Sequence, residues 1–84
     1  MAEIDKRLAR FCNKRGDASF REAIQVLKIL NFQIKRMKGS HFFFQKGEGK
    51  EAKNITIPVH SGIVKKAYVK DIIKIIKQEE NERI

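Results

Sequence analysis

The chain has 84 residues, with 19 lysines and arginines against 10 acids, a net charge of +9, 42% hydrophobic residues and one cysteine. That length supports one modest core and argues against an elaborate multi-part active site, while the apolar and charged fractions are those of a folded domain rather than a disordered one. No disulfide can form within the chain, no Cys/His set has zinc spacing, no Gly-rich phosphate loop follows a strand, and no run reads as a secretory leader or a membrane span. The expectation is a cytoplasmic protein without cofactor or metal and without a membrane partner.

Ile4, Leu8, Phe11 and Cys12 recur at helical spacing with Lys6, Arg7 and Arg10 between them, which predicts a short amphipathic helix over residues 3–14 with Cys12 on its apolar side. Gly16 ends that local structure. Ser19-Phe20-Arg21-Glu22 is a capping-box sequence, and behind it Phe20, Ala23, Ile24, Leu27 and Leu30 form one apolar stripe. A second helix is therefore expected to run to Leu30, with Asn31 at the left-handed position that follows a helix end. Residues 32–37 begin with apolar/polar alternation and predict a half-buried strand, Lys38-Gly39-Ser40 predicts a turn, and residues 41–45 predict a second strand. Residues 46–50 read as a flexible polar loop. A third strand is expected over residues 54–59, with Pro58 tolerable at a strand end or sheet edge.

After His60-Ser61-Gly62, a last helix is predicted over about residues 65–79. Its apolar face holds Tyr68, Val69, Ile72, Ile73, Ile75 and Ile76, and Lys66, Lys70, Lys74 and Lys77 form the opposite stripe. Residues 79–84 read as a polar, frayed tail. The predicted fold is α+β: an α-β-β-β-α order like that of a double-stranded-RNA-binding domain, with two helices on one face of a three-stranded antiparallel sheet and an extra N-terminal helix. The whole of residues 1–84 reads as one domain, with a helical extension (1–18), a core (19–78) and the tail.

Charge points to a polyanionic partner, and nucleic acid comes first. Asp and Glu are absent from residues 23–47 and from 52–70, windows that hold Lys28, Lys35, Arg36, Lys38, Lys46, Lys53, Lys65, Lys66 and Lys70. A solvated basic surface, or an acidic protein covering it, is the competing explanation. Strand alternation puts His41 and Phe43 on one face and Phe42 and Phe44 on the other. The second pair has more apolar bulk and is expected to meet the helices, as are Ile55, Ile57 and Val59; Thr56, Pro58 and His60 then share the open side with His41.

Two imidazoles on a cationic surface match what RNA cleavage requires. One group deprotonates the ribose 2′-hydroxyl, another protonates the leaving 5′-oxygen, and cations steady the phosphorane. Lys38, Lys46, Lys65 or Lys66 would supply the field, and Phe43 would stack on a base. Lysines at the start of the last helix, Lys66 and Lys70 among them, stand where double-stranded-RNA-binding domains grip phosphates. From spacing alone, a histidine beside a turn is more often a hydrogen-bonding structural residue than a catalyst, Phe43 reads as partner-facing or satellite-core apolar surface, and the lysine stripe as a solvated helix face.

Residues 27–32 (Leu-Lys-Ile-Leu-Asn-Phe), 36–41 (Arg-Met-Lys-Gly-Ser-His), 56–60 (Thr-Ile-Pro-Val-His) and 66–70 (Lys-Ala-Tyr-Val-Lys), in that order, resemble the HicA toxins of prokaryotic type II toxin-antitoxin modules. The resemblance runs over about residues 19–78. It implies a small basic ribonuclease that cleaves messenger RNA, with His41 of the Gly39-Ser40-His41 turn as the catalytic histidine, His60 as a possible auxiliary, and a HicB-type antitoxin bound over the site. The candidate RNA-binding set is Lys38, Ser40, Phe43, Lys46, Lys65, Lys66 and Lys70. Two positions depart from the family pattern: Phe42 stands where many members have a second His, and Asn31 where Gly is usual. A non-catalytic RNA-binding module of the same fold is the alternative reading, and an interaction protein whose open face serves only a partner is a third.

Overall fold

Residues 6–82 are described by a computed structural model. The first helix, α1 (Lys6–Cys12), is shorter than the apolar spacing suggests. Ile4 and its neighbours lie outside the described residues, and at the other end the chain tightens. The Asn13 and Lys14 amides donate to the carbonyls of Arg10 and Phe11 at 3.2 and 3.1 Å, a three-residue step that closes the helix.

Helix α2 (Phe20–Ile29) opens on the predicted cap. The Ser19 hydroxyl accepts from the Glu22 amide at 3.1 Å and donates to the Glu22 carboxylate at 3.2 Å. Its far end closes on Asn31, which takes a φ of +71°. The Asn31 amide donates to Lys28 and the Phe32 amide to Leu27, both at 2.9 Å, which is the Schellman arrangement with Asn in the usual glycine place.

Three strands, β2 (Gln33–Lys38), β3 (His41–Lys46) and β4 (Lys53–Pro58), form an antiparallel meander with β3 in the centre. A 3-10 turn at Gly49–Glu51 gives the predicted flexible loop a defined bend. Two further segments pair in a way the sequence did not announce. The two-residue strands β1 (Ala18–Ser19) and β5 (Ile63–Val64) form a small antiparallel sheet of their own. This sheet ties the start of α2 to the start of α3 (Lys66–Glu82), because Phe20 donates its amide to Gly62 at 2.9 Å and the Asp17 carboxylate accepts from the Lys66 amide at 2.8 Å. Asp17 therefore satisfies an orphan donor of a helix that begins 49 residues later.

The core lies between the meander and the α2/α3 layer. Ala23, Val26 and Leu27 of α2, Leu30 at its C-cap, and Val69, Ile72 and Ile76 of α3 close over Phe44 and Ile57. Phe42 packs its ring on Phe20 with centroids 4.3 Å apart. Helix α1 lies against both α2 and α3, burying Leu8 and Phe11 to 4% and 2% exposure, so the N-terminal extension completes the core. Cys12 is half-buried at its margin, as its place in the helical pattern suggests. Together α2-β2-β3-β4-α3 make the α-β-β-β-α arrangement of a double-stranded-RNA-binding domain, with α1 added.

Two expectations are corrected. Strand β2 is not half-buried, since all six of its residues are exposed: it is an edge strand, and the buried Phe32 precedes it. Residues 79–82 are not a frayed tail, since α3 continues to Glu82. Glu79 accounts for the difference. Its carboxylate takes the Lys46 ammonium at 2.5 Å and the Lys53 ammonium at 3.6 Å, fastening the helix end to the sheet. The Lys46 hydrogen bond holds the Glu79 carboxyl below its ordinary value of 4.5, with the charges of Lys46 and Lys53 adding to it against the opposing effect of burial.

Two outcomes follow from this packing. Phe11→Ala should cost about 3–5 kcal/mol in a chemical-denaturation experiment, and a loss under about 1 kcal/mol would mean that α1 is not part of the folded unit. For Glu79, a depressed native pKa means that stability is present above the unfolded value and is lost as pH falls through the folded one. Glu79→Gln should therefore be less stable than the parent at neutral pH and lose less on acidification below about pH 4.5, read as denaturation midpoints across pH.

Candidate functional site

Glycine at position 39 makes the central turn possible. Lys38 and His41 close it as the last pair of the β2/β3 ladder, leaving Gly39 and Ser40 as a two-residue loop. Gly39 takes a φ of +60° and Ser40 does not, the pattern of a type II′ turn, which matches the twist of the strands it joins. His41 thus begins β3 with an exposed side chain.

The neighbouring turn is built on the same plan. The His60 and Ile63 backbones exchange hydrogen bonds of 3.1 and 2.9 Å around Ser61 and Gly62, whose φ values of +52° and +73° make a type I′ turn. The two turns meet through the backbone, where the Val59 amide donates to the Ser40 carbonyl at 2.7 Å. Gly39-Ser40-His41 and His60 therefore stand at one end of the meander, beside the first turn of α3. Both histidines are exposed.

Register determines what lies beside His41. Residues paired across antiparallel strands point to the same face, so the open face carries transverse rows. Lys38, His41 and Pro58 form the first row; Arg36, Phe43 and Thr56 form the second; Gln33, Gln45 and Asn54 form the third. The opposite face carries Met37, Phe42 and Ile57, and Ile34, Phe44 and Ile55. This is the division expected from the bulk of Phe42 and Phe44. In the second row the Arg36 guanidinium lies over the Phe43 ring, 4.7 Å from its centroid, a cation–π contact on the solvent side of the sheet.

Arg36 and Lys38 reach this face because of an irregularity in β2. Ile34 pairs with Phe44 and Arg36 with Phe43, so Lys35 is an extra residue, a β-bulge. Plain alternation from Ile34 would turn Arg36 and Lys38 toward the helices. The bulge reverses their facing.

The predicted cations separate into two groups. Lys38 shares the row of His41, and Lys65, Lys66 and Lys70 are exposed at the start of α3, with Lys65 3.9 Å from the Asp17 carboxylate. Lys46, expected among the RNA-binding cations, belongs to the other side. It has the parity of Phe42 and Phe44, faces the helices, lies 6.0 Å from the Phe32 ring centroid and holds Glu79. Its strand position was the signal that would have set it apart. Arg36 is the cation that spacing did not single out, and no sequence signal marks the bulge that exposes it.

Among the described residues no His, Cys, Asp or Glu cluster of three or more stands together to hold a metal, and no helix is long and apolar enough to cross a membrane. Compared with known proteins, the chain matches no curated protein and no solved structure. A family model does match: the one described as HicA toxin of bacterial toxin-antitoxin, over residues 20–78, which takes in α2, the whole meander, both turns and most of α3. That span is well over half of the chain, leaves out α1, and contains His41, His60 and every lysine placed beside them, so the chain belongs to the HicA toxin family.

Proposed function

We propose that this toxin is a metal-independent endoribonuclease that cleaves messenger RNA in the cytoplasm through His41 and is neutralised by a HicB-type antitoxin. The observation that carries the reading is the first row of the open face: an exposed imidazole at a turn, with Lys38 across from it and the Arg36–Phe43 stack behind it. The wider charge supports it, since RNA binding is dominated by phosphate contacts and the exposed cations at the start of α3 stand near the same end of the sheet.

In this reading the His41 imidazole accepts the proton of a ribose 2′-hydroxyl. The freed oxygen attacks the adjacent phosphorus, the bond to the 5′-oxygen breaks, and that oxygen leaves with a proton supplied by an acid. The products are a 2′,3′-cyclic phosphate and a 5′-hydroxyl. Imidazole is suited to such work because its ordinary pKa lies near neutrality. Lys38, with Lys65, Lys66 and Lys70, stabilises the extra negative charge of the phosphorane and positions the strand. Ser40 offers a hydroxyl beside the reacting phosphate, and Phe43 with Arg36 stacks a base. His60, on the adjoining turn, is the available auxiliary acid. The mechanism routes no step through a metal.

His41→Ala should lower RNA cleavage by about 10²–10⁴-fold and abolish growth arrest on expression, without changing the melting temperature or the salt-sensitive binding of RNA. Cleavage by the parent should persist in a chelator. Full cleavage by His41→Ala, or cleavage that stops on chelation, would overturn the mechanism. RNA that binds but stays intact with the parent chain would instead identify a non-catalytic RNA-binding module. Co-expression of an acidic protein encoded beside this gene should restore growth.

A further inference from the structure

The open face continues past the Arg36–Phe43 row to three carboxamides in line, Gln33, Gln45 and Asn54, paired one to the next across β2, β3 and β4. At this end of the sheet a shallow recess of about 160 Å³ is bounded by Asn31, Gln33, Lys35, Gln45, Gly47 and Glu48. Its wall comes from both ends of the fold's local devices: Asn31 is the left-handed residue that closes α2, and Lys35 is the bulge residue.

The chemistry of this recess differs from that of the rows beside it. One cation, Lys35, and one acid, Glu48, line it, so the recess lacks the one-sided cationic field that draws a phosphate. What it offers is carboxamides, each with two donors and an acceptor in a fixed fork, the groups that read the edge of a nucleobase. Unpaired RNA bases are recognised in this way, splayed from the strand, with aromatic or guanidinium planes taking the neighbouring base. That neighbouring platform is present here as Arg36 on Phe43.

We infer that the Gln33/Gln45 recess is a base-recognition subsite for single-stranded RNA, one that sets where the strand is cut. The inference rests on the proposal that RNA lies along the open face past His41. Gln45 is four residues along β3 from His41, about 13 Å at strand rise. A stacked strand climbs about 3.4 Å per nucleotide, so the base read in the recess lies within about four nucleotides of the cleaved bond, and nearer when the bases are splayed. An amide–base pair of this kind discriminates by about 5- to 140-fold in a closed groove, and the lower end is expected on this open surface.

The test uses the full chain and a long unstructured RNA whose cleavage sites are mapped by end sequencing. The parent should show one base enriched at a fixed offset from the cut. Gln33→Ala with Gln45→Ala, in side chains that are exposed and half-buried, should keep its melting temperature and still cleave RNA while that enrichment falls about fivefold or more. An unchanged site profile in the double variant overturns the inference and leaves the cleavage mechanism standing. A second arm measures the affinity of the His41→Ala chain for four labelled homo-oligoribonucleotides. Base-dependent affinity that flattens in the Gln33→Ala/Gln45→Ala background supports the subsite, and equal affinities overturn it. Should the parent not cleave RNA at all, the catalytic reading falls and this binding arm alone decides the subsite.

Discussion

The seating of Phe44 against the α2/α3 layer sets the facing of the whole meander, because β3 is its central strand and side chains alternate along it. With Phe44 and Phe42 turned to the helices, His41, Phe43 and Gln45 have only the open face. A slip of one residue would bring His41 and Phe43 inward and release Phe42 and Phe44 to water. Burying a phenylalanine contributes about 1.5–3 kcal/mol, whereas burying an unpartnered polar ring costs energy, so both changes oppose the slip. The position of the histidine is thus a consequence of the core behind it.

Charge is divided between the two sides of the sheet by the same parity. Lys46 and Lys53 are directly paired on the helix side, an arrangement that repels unless something stands between them. Glu79 does so, and its two contacts fasten α3 to the sheet. On the open side no acid stands in the rows that hold Lys38, Arg36 and His41. The result is a molecule whose helix-side lysines are held by an acid and whose open-side cations stand in rows without one.

Much of this was legible in the chain. The capping box at Ser19, the left-handed Asn31, the Gly39-Ser40 turn and the inward facing of Phe42 and Phe44 all depend on residues within a few positions of each other, and all appear as expected. The edge position of β2, the small β1/β5 sheet and the continuation of α3 past Glu79 were not. The last two depend on partners far away in sequence: Asp17 with Lys66 across 49 residues, Lys46 with Glu79 across 33. The candidate site was half visible for the same reason. His41 follows from local alternation, but the partner that holds Lys46 on the helix side lies on α3, and the bulge at Lys35 that turns Arg36 to the open face has no local mark.

By itself the sequence determined the kinds and order of the three helices and the three strands of the meander, the inward and outward sides of β3, the basic character of the chain and the turn that presents His41. These rest on periods of 2 and 3.6 residues and on turn chemistry, which are local. Only the tertiary structure decided which cations share a face with that histidine, how α1 completes the core, and that a row of carboxamides continues the face beyond Phe43. Those outcomes depend on strand register, on one extra residue in an edge strand and on an ion pair between β3 and α3. Such features take their energy from contacts between segments, so no window of neighbouring residues contains them.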